Sequence, residues 1–80
     1  MYKNGRNAEA VQSLTAAIQQ YEVQGTTPPE VYEHLGMVHE ALGDGKKALA
    51  AYRRALEVGA GTMPGIMKDR IDSAVGRLAK

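Results

Sequence analysis

The sequence contains no cysteine. This absence excludes a disulfide framework, and it also excludes thiolate metal ligands and a cysteine nucleophile. The chain has no apolar run long enough to cross a bilayer or to act as a signal peptide, so we expect a soluble protein without a membrane span. These absences leave the compartment undecided, although the cytoplasm is slightly favoured.

Basic residues are missing from a long part of the chain. Between Asn7 and Gly45 there is no lysine or arginine, whereas from Lys46 to Lys80 basic residues outnumber acidic ones. The formal net charge is only +1, which argues against attraction of the whole molecule to nucleic acid or to an anionic membrane. If the helices stack in chain order, the molecule should therefore be an electrostatic dipole.

The stretch from Pro29 to Gly59 has the pattern of two amphipathic helices joined by a glycine turn. Gly36 has no side chain, and Ala48 and Ala55 have small ones, so the two backbones can approach closely. A glycine inside a helix is unfavourable by roughly 0.5–1 kcal/mol relative to alanine, which predicts that a neighbour packs over Gly36. On a helical wheel, one side of the first helix collects the residues expected to be buried: Val31, Tyr32, Leu35, Val38, His39 and Leu42.

Glycine, proline and capping residues divide the chain into helices. Pro28 is disfavoured in helical dihedrals by the proline that follows it, whereas Pro29 suits the first turn of a helix. Gly25 can end the preceding helix, and Asn7, in a turn-like segment, can cap its start. Asp44 can accept hydrogen bonds from free N–H groups of the second hairpin helix. The predicted helices are Ala8–Gln24, Pro29–Leu42, Lys46–Val58 and Pro64–Leu78.

The hairpin resembles the tetratricopeptide repeat family. The residues that carry the resemblance are Tyr32, Leu35, Gly36, Gly43, Ala48, Tyr52, Ala55 and Leu56. On this resemblance, residues 29–62 form one complete repeat, and residues 1–24 are similar to the second helix of a preceding repeat. The intervals of one set of residues recur in the other: Gly43, Ala48, Tyr52, Ala55 and Leu56 correspond to Gly5, Ala10, Leu14, Ala17 and Ile18.

The resemblance implies an all-α fold. We expect antiparallel helical hairpins in a short right-handed superhelical array, an α-solenoid of about four helices that forms a single domain of residues 1–80. Residues 63–80 lack the leucine–glycine pair of another repeat and resemble a terminal capping helix. Such a helix covers the apolar core and turns a polar face to water, here Lys68, Asp69, Asp72, Arg77 and Lys80. The chain is expected to be a fragment of a longer protein.

The resemblance also implies a protein–protein interaction scaffold or adaptor. In the family, one face of the first hairpin helix lines a concave groove that receives a peptide or a partner helix. That face here holds Glu30, Glu33, Met37, Glu40 and Ala41. A basic or amphipathic ligand fits this set, because methionine adapts to an apolar anchor and glutamates attract lysine or arginine. The family's clamp for C-terminal carboxylates uses Lys, Arg and Asn at these positions, so chaperone tails are not expected ligands. The alternative is that these charges only keep the surface soluble.

Two other functions remain open. One is an oligomerisation or assembly domain, because a missing preceding helix would leave part of an apolar strip uncovered, and weak self-association through the first helix would cover it. That strip contains Val11, Leu14 and Ile18. The other is weak nucleic-acid binding by a basic convex face, although no aromatic residues are interleaved there and nucleic acid is therefore unlikely. That face holds Lys46, Lys47, Arg53 and Arg54, with Glu57 expected to pair with Arg53.

No pattern in the sequence predicts catalysis, a metal or a cofactor. His34 and His39 are five residues apart, so they point in different directions and do not form the zinc pair of HExxH helices. We expect His39 in the helix packing and His34 at the surface. Glu30, Glu33 and Glu40 would need a pocket that perturbs their pKa values before they could act in acid–base chemistry. The chain is therefore not expected to be an enzyme.

Overall fold

The computed structural model describes the backbone of residues 2–25 and 27–79 and the side chains of residues 8–25 and 27–79. The described residues form four α-helices and no strand, which confirms the all-α fold. The helices are α1 (Tyr2–Gln24), α2 (Pro29–Ala41), α3 (Gly45–Val58) and α4 (Gly65–Leu78). Each helix packs against the next in the chain, α1 on α2, α2 on α3 and α3 on α4.

The start of α1 differs from the prediction. The helix begins at Tyr2 and runs through the segment that was expected to form a turn ending at Asn7. Gly5 therefore lies inside a helix, unlike Gly43, which has a φ of 81° in the α2–α3 turn. Turn residues are only mildly unfavourable in a helix, and continuing the helix satisfies backbone N–H groups that a helix start at Ala8 would leave free.

The turns before α2 and α3 follow the predicted chemistry. Pro28 has an extended conformation, with φ −62° and ψ 137°, and α2 begins at Pro29. Gly43 has a positive φ that a residue with a side chain would rarely adopt. Asp44 Oδ1 accepts a hydrogen bond of 3.1 Å from the backbone N–H of Lys47, so the predicted cap of α3 is confirmed.

The core lies between the helices and collects side chains from all four. Its buried residues are Ile18, Tyr32, Ala48, Tyr52, Ala55, Met67, Ile71 and Ala74. Leu35 and Leu56 are partly buried and pack against this cluster, and Gly36 is buried beneath the ring of Tyr52. Leu42 was expected on the buried side of α2 but is exposed, because the chain leaves the helix at this residue.

Candidate functional site

A shallow cleft of about 230 Å³ lies between α2 and α4, with Tyr52 of α3 in its wall. We call it the α2–α4 cleft. Its lining residues are Glu33, Met37, Glu40, Tyr52, Arg70, Ala74 and Arg77. The cleft therefore brings together three of the five residues predicted to line a groove. The other two, Glu30 and Ala41, are exposed on α2 outside the cleft lining.

One wall of the cleft is an ion pair between α2 and α4. Arg70 donates from Nε to Glu33 Oε2 at 2.6 Å and from Nη2 to Glu33 Oε1 at 3.0 Å. The Glu33 side chain is only 9% exposed, whereas that of Arg70 is 59% exposed. A nearly buried carboxylate requires such a partner, and the two parallel hydrogen bonds fix the orientation of the guanidinium.

A second ion pair lies further along the same two helices. Arg77 Nη2 donates to both carboxylate oxygens of Glu40, at 2.8 and 2.7 Å. The hydroxyl of Tyr52 donates to Glu40 Oε1 at 2.7 Å. Glu40 is thus held by one residue from α4 and one from α3, so its side chain joins three helices.

The pKa values of Glu40 and Tyr52 reflect this contact. Burial of the Tyr52 hydroxyl, followed by its hydrogen bond to Glu40 and the charge of that carboxylate, raises the pKa of Tyr52 well above its ordinary value of 10.0. Burial alone would raise the pKa of Glu40, but the hydrogen bonds from Tyr52 and Arg77 and the positive charge of Arg77 outweigh it. The pKa of Glu40 is therefore lowered from 4.5. Both shifts correspond to a folded state that stabilises ionised Glu40 beside neutral Tyr52.

The two ion pairs share one spacing. Glu33 and Glu40 are seven residues apart, and so are Arg70 and Arg77. Seven residues make about two helical turns, or about 10 Å along an axis, so both members of each set lie on one face of their helix. The carboxylates of α2 therefore meet the guanidinium groups of α4 in register.

Met37 lies between the two ion pairs. It is 54% exposed, which makes it a large apolar residue open to solvent in the cleft. The four charged residues of the cleft are paired with one another, so the face that looked acidic in the sequence is balanced by α4. Sequence reasoning missed Arg70, and it expected Arg77 only on a polar face turned to water. The matching spacing of arginines and glutamates was the one available signal.

Residues 29–58, which cover α2 and α3, match the family model described as tetratricopeptide repeat. The α2–α3 hairpin is a tetratricopeptide repeat. A comparison with curated proteins and one with solved structures each found no match to the chain. Tetratricopeptide repeats are in general protein–protein interaction modules and are typically non-catalytic. The α2–α4 cleft is thus bordered by the first helix of the repeat and by the helix that follows the repeat.

The opposite surface of the repeat carries the basic residues of α3. Arg54 pairs with Glu57 at 3.2 Å, and its guanidinium lies 5.8 Å from the centre of the Tyr32 ring. The prediction that Glu57 pairs with Arg53 is therefore wrong. Residues three and four positions apart are both neighbours on a helix, and the aromatic ring of Tyr32 holds the Arg54 side chain on that side. The Nζ atom of Lys47 lies 3.9 Å from Oδ2 of Asp44. Weak nucleic-acid binding by this surface stays an untested alternative to protein interaction.

Other kinds of site have little support in the described part of the chain. Residues 2–25 and 27–79 contain no group of three or more histidine, cysteine, aspartate or glutamate residues that could hold a metal ion. His34 is exposed and His39 is partly buried. None of the helices, over the residues that the structure describes, has the length and apolar character needed to cross a membrane.

Proposed function

We propose that the chain is a protein-interaction module in which the α2–α4 cleft binds an amphipathic peptide or helix from a partner protein. The observation that carries this proposal is Met37, a half-exposed apolar residue between two ion pairs on the first helix of a tetratricopeptide repeat. An apolar side chain of the ligand would pack against Met37, and polar groups of the ligand would lie along the ion pairs.

The size of the cleft favours a peptide over a small molecule. Ligand pockets usually enclose about 300–1,000 Å³, and this open cleft of about 230 Å³ is smaller. It can take one apolar side chain, with the rest of the ligand on the surface of α2. Methionine suits that contact because its unbranched side chain adapts to different partners. Glu30 and Ala41, which lie towards the two ends of α2, would extend the binding surface beyond the cleft.

The ion pairs favour an amphipathic ligand over a strongly basic one. A lysine or arginine of the ligand would have to displace Arg70 from Glu33 or Arg77 from Glu40, and each arginine already makes two hydrogen bonds. Breaking a hydrogen-bonded ion pair at a poorly exposed carboxylate is costly. Glu30 is exposed in the first turn of α2 and offers a single basic group of the ligand a carboxylate at the edge of the surface.

Methyl NMR can test this proposal with three synthetic helical peptides of equal length, one amphipathic and neutral, one basic and one acidic. We expect the amphipathic peptide to shift the methyl signal of Met37 in a saturable titration and to leave the buried Met67 signal unchanged. The acidic peptide should not bind. If the basic peptide shifts the Met37 signal most strongly, the ligand class is the basic one that the sequence also allowed.

A matched pair of variants tests whether Met37 is the anchor. Met37→Ala should weaken binding of the amphipathic peptide about fivefold to tenfold, the effect expected for truncation of an important interface residue. Ile66→Ala removes another exposed apolar side chain, 79% exposed on α4, and should leave the affinity unchanged. Equal losses in both variants would mean that Met37 is not the anchor. If no peptide binds at all, the charged residues of α2 serve solubility alone.

A further inference from the structure

Helix α1 carries an apolar strip that its own chain covers only in part. The strip consists of Ala10, Leu14, Ala17 and Tyr21, which are all partly buried. We call it the α1 strip. Ile18 lies beside it on the helix and is buried in the core with Tyr32 of α2. The side of α1 that packs on α2 is therefore next to the strip.

The same pattern of small and large residues occurs in α3, where it is fully buried. Ala10, Leu14 and Ala17 have the intervals of Ala48, Tyr52 and Ala55 in α3. Those three α3 residues are exposed by only 0%, 3% and 0%, because α2 and the other core helices pack on them. A helix face with small residues on either side of a large one is thus a helix-packing surface in this fold.

The α1 strip is complementary to itself when two copies run antiparallel. A two-fold axis that passes between Thr15 and Ala16 places Leu14 of one copy opposite Ala17 of the other. The same axis places Tyr21 opposite Ala10. Each large side chain then meets a small one, as close packing requires. A parallel pair in register would instead set Leu14 against Leu14 and leave a gap between the alanines.

We propose that a second copy of this chain packs on the α1 strip as an antiparallel, two-fold symmetric pair. Such an interface is isologous, since each copy contributes the same residues. Between Ala8 and Gln24 the charged residues of α1 are Glu9 and Glu22. One lies on each side of the strip, about 110° from its centre around the helix axis, so the pairing buries neither carboxylate. The strip carries no charge that would select a partner of opposite charge.

Sedimentation velocity over a range from micromolar to millimolar concentration tests the pairing. The mass should rise towards that of a dimer. Leu14→Ala and Ala17→Leu should each raise the dissociation constant about tenfold or more, because a symmetric pair loses each contact twice. The double variant Leu14→Ala/Ala17→Leu exchanges the large and the small residue and should restore most of the association.

Two variants of the same helix serve as controls. Val23→Ala removes an apolar side chain that is 90% exposed, and Ala16→Leu adds one at an exposed position on the side of α1 away from the strip. Both should leave the dissociation constant unchanged, and circular dichroism should show that all variants are folded. A constant monomer mass over the whole range, as expected if another segment or another protein covers the strip, would overturn the proposal. So would a double variant that associates less well than either single one.

The register can be measured independently of affinity, since the chain has no cysteine of its own. Ala10→Cys chains mixed with Tyr21→Cys chains should form a mixed disulfide between copies. Neither variant should form a disulfide with itself, because two equivalent Ala10 positions would lie about 16 Å apart along the pair, and a disulfide needs α-carbons within about 7 Å. A disulfide between two Ala10→Cys chains would overturn the antiparallel arrangement.

Discussion

Tyr52 has two roles in a single side chain. Its ring covers Gly36, where a β-carbon would lie 2.9 Å from Cε1 and from Cζ of the ring. Its hydroxyl donates to Glu40 of α2 in the cleft. The contact that lets α2 and α3 approach closely therefore also orients a residue of the candidate binding site.

The close approach of Gly36 and Tyr52 predicts the effect of adding one methyl group. Gly36→Ala should destabilise the protein by about 1–3 kcal/mol, because the new β-carbon forces the buried ring to move. Chemical denaturation monitored by circular dichroism would measure the loss of stability. Gly76→Ala is the matched control, since Gly76 lies in α4 and a β-carbon added there would meet no atom within 4 Å. It should stabilise the protein by about 0.5–1 kcal/mol. An equal gain from both variants would contradict the packing of Tyr52 on Gly36.

The hydrogen bond from Tyr52 to Glu40 predicts how stability depends on pH. The pKa of Glu40 is lowered by folding, so its contribution is present above pH 4.5 and is lost as the pH falls through the folded-state value. The pKa of Tyr52 is raised, so its contribution is present below pH 10.0 and is lost as the pH rises above that value.

Replacing the hydroxyl separates these two effects. Tyr52→Phe should cost about 1 kcal/mol near neutral pH, the usual contribution of one hydrogen bond. The variant should lose less stability in acid than the parent does, and it should lack the part of the alkaline loss that comes from Tyr52. Thermal melts between pH 3 and pH 11 would measure both. Tyr21→Phe, on α1 outside the cleft, is the control, and identical pH profiles for the parent and Tyr52→Phe would contradict the contact.

At the scale of elements, α4 is joined to both helices of the repeat by different kinds of contact. Met67, Ile71 and Ala74 are buried in the core that α4 shares with α3. Arg70 and Arg77 pair with glutamates of α2. The apolar contacts supply most of the stability, since burial of apolar area is the larger effect. The ion pairs join α4 directly to α2.

Arg70 pairs with a poorly exposed carboxylate, so replacing one partner of the pair should destabilise the protein more than replacing both. Arg70→Met should lower the melting temperature clearly, because it leaves Glu33 buried without its partner. Adding Glu33→Met should recover part or all of the loss, since two apolar side chains then replace the ion pair. Arg53→Met, at an exposed position of α3, should change little. If the double variant melts no higher than Arg70→Met, the ion pair is not the reason for the loss.

At the scale of the whole molecule, charges that are separated in the sequence come together in the fold. The acidic stretch ends before α3, and the basic residues follow it. The structure nevertheless sets Glu33 beside Arg70 and Glu40 beside Arg77. Part of the charge separation expected from chain order is therefore offset by pairing within the fold.

Sequential stacking of helices predicts that the last helix protects the rest. A chain shortened to residues 1–63 loses α4 and with it the buried side chains of Met67, Ile71 and Ala74. Helical arrays need a covering element at each end of their apolar core. We expect a lower melting temperature and binding of a fluorescent apolar dye to the exposed face of α3. If the shortened chain melts within a few degrees of the full chain without binding the dye, α4 is dispensable for the core.

Most of the fold could be predicted from the sequence because its signals are local. Apolar periodicity, prolines 28 and 29, the Gly43 turn and the Asp44 cap determined α2 and α3 to within about a residue. The turn preference of Asn and Gly near the start of the chain was the weak signal, because it is mild and a continued helix satisfies more backbone N–H groups. This is why α1 begins at Tyr2 and not at Ala8.

The candidate site was predicted only in part, because its chemistry depends on contacts between distant residues. The sequence by itself determined that Glu33, Met37 and Glu40 share one face of α2, since that follows from helical geometry alone. It could not determine that arginines from α4, 37 residues further along the chain, neutralise both glutamates. That pairing requires α2 and α4 to be aligned along their axes. The alignment is decided by how both helices pack on α3, which only the tertiary structure contains.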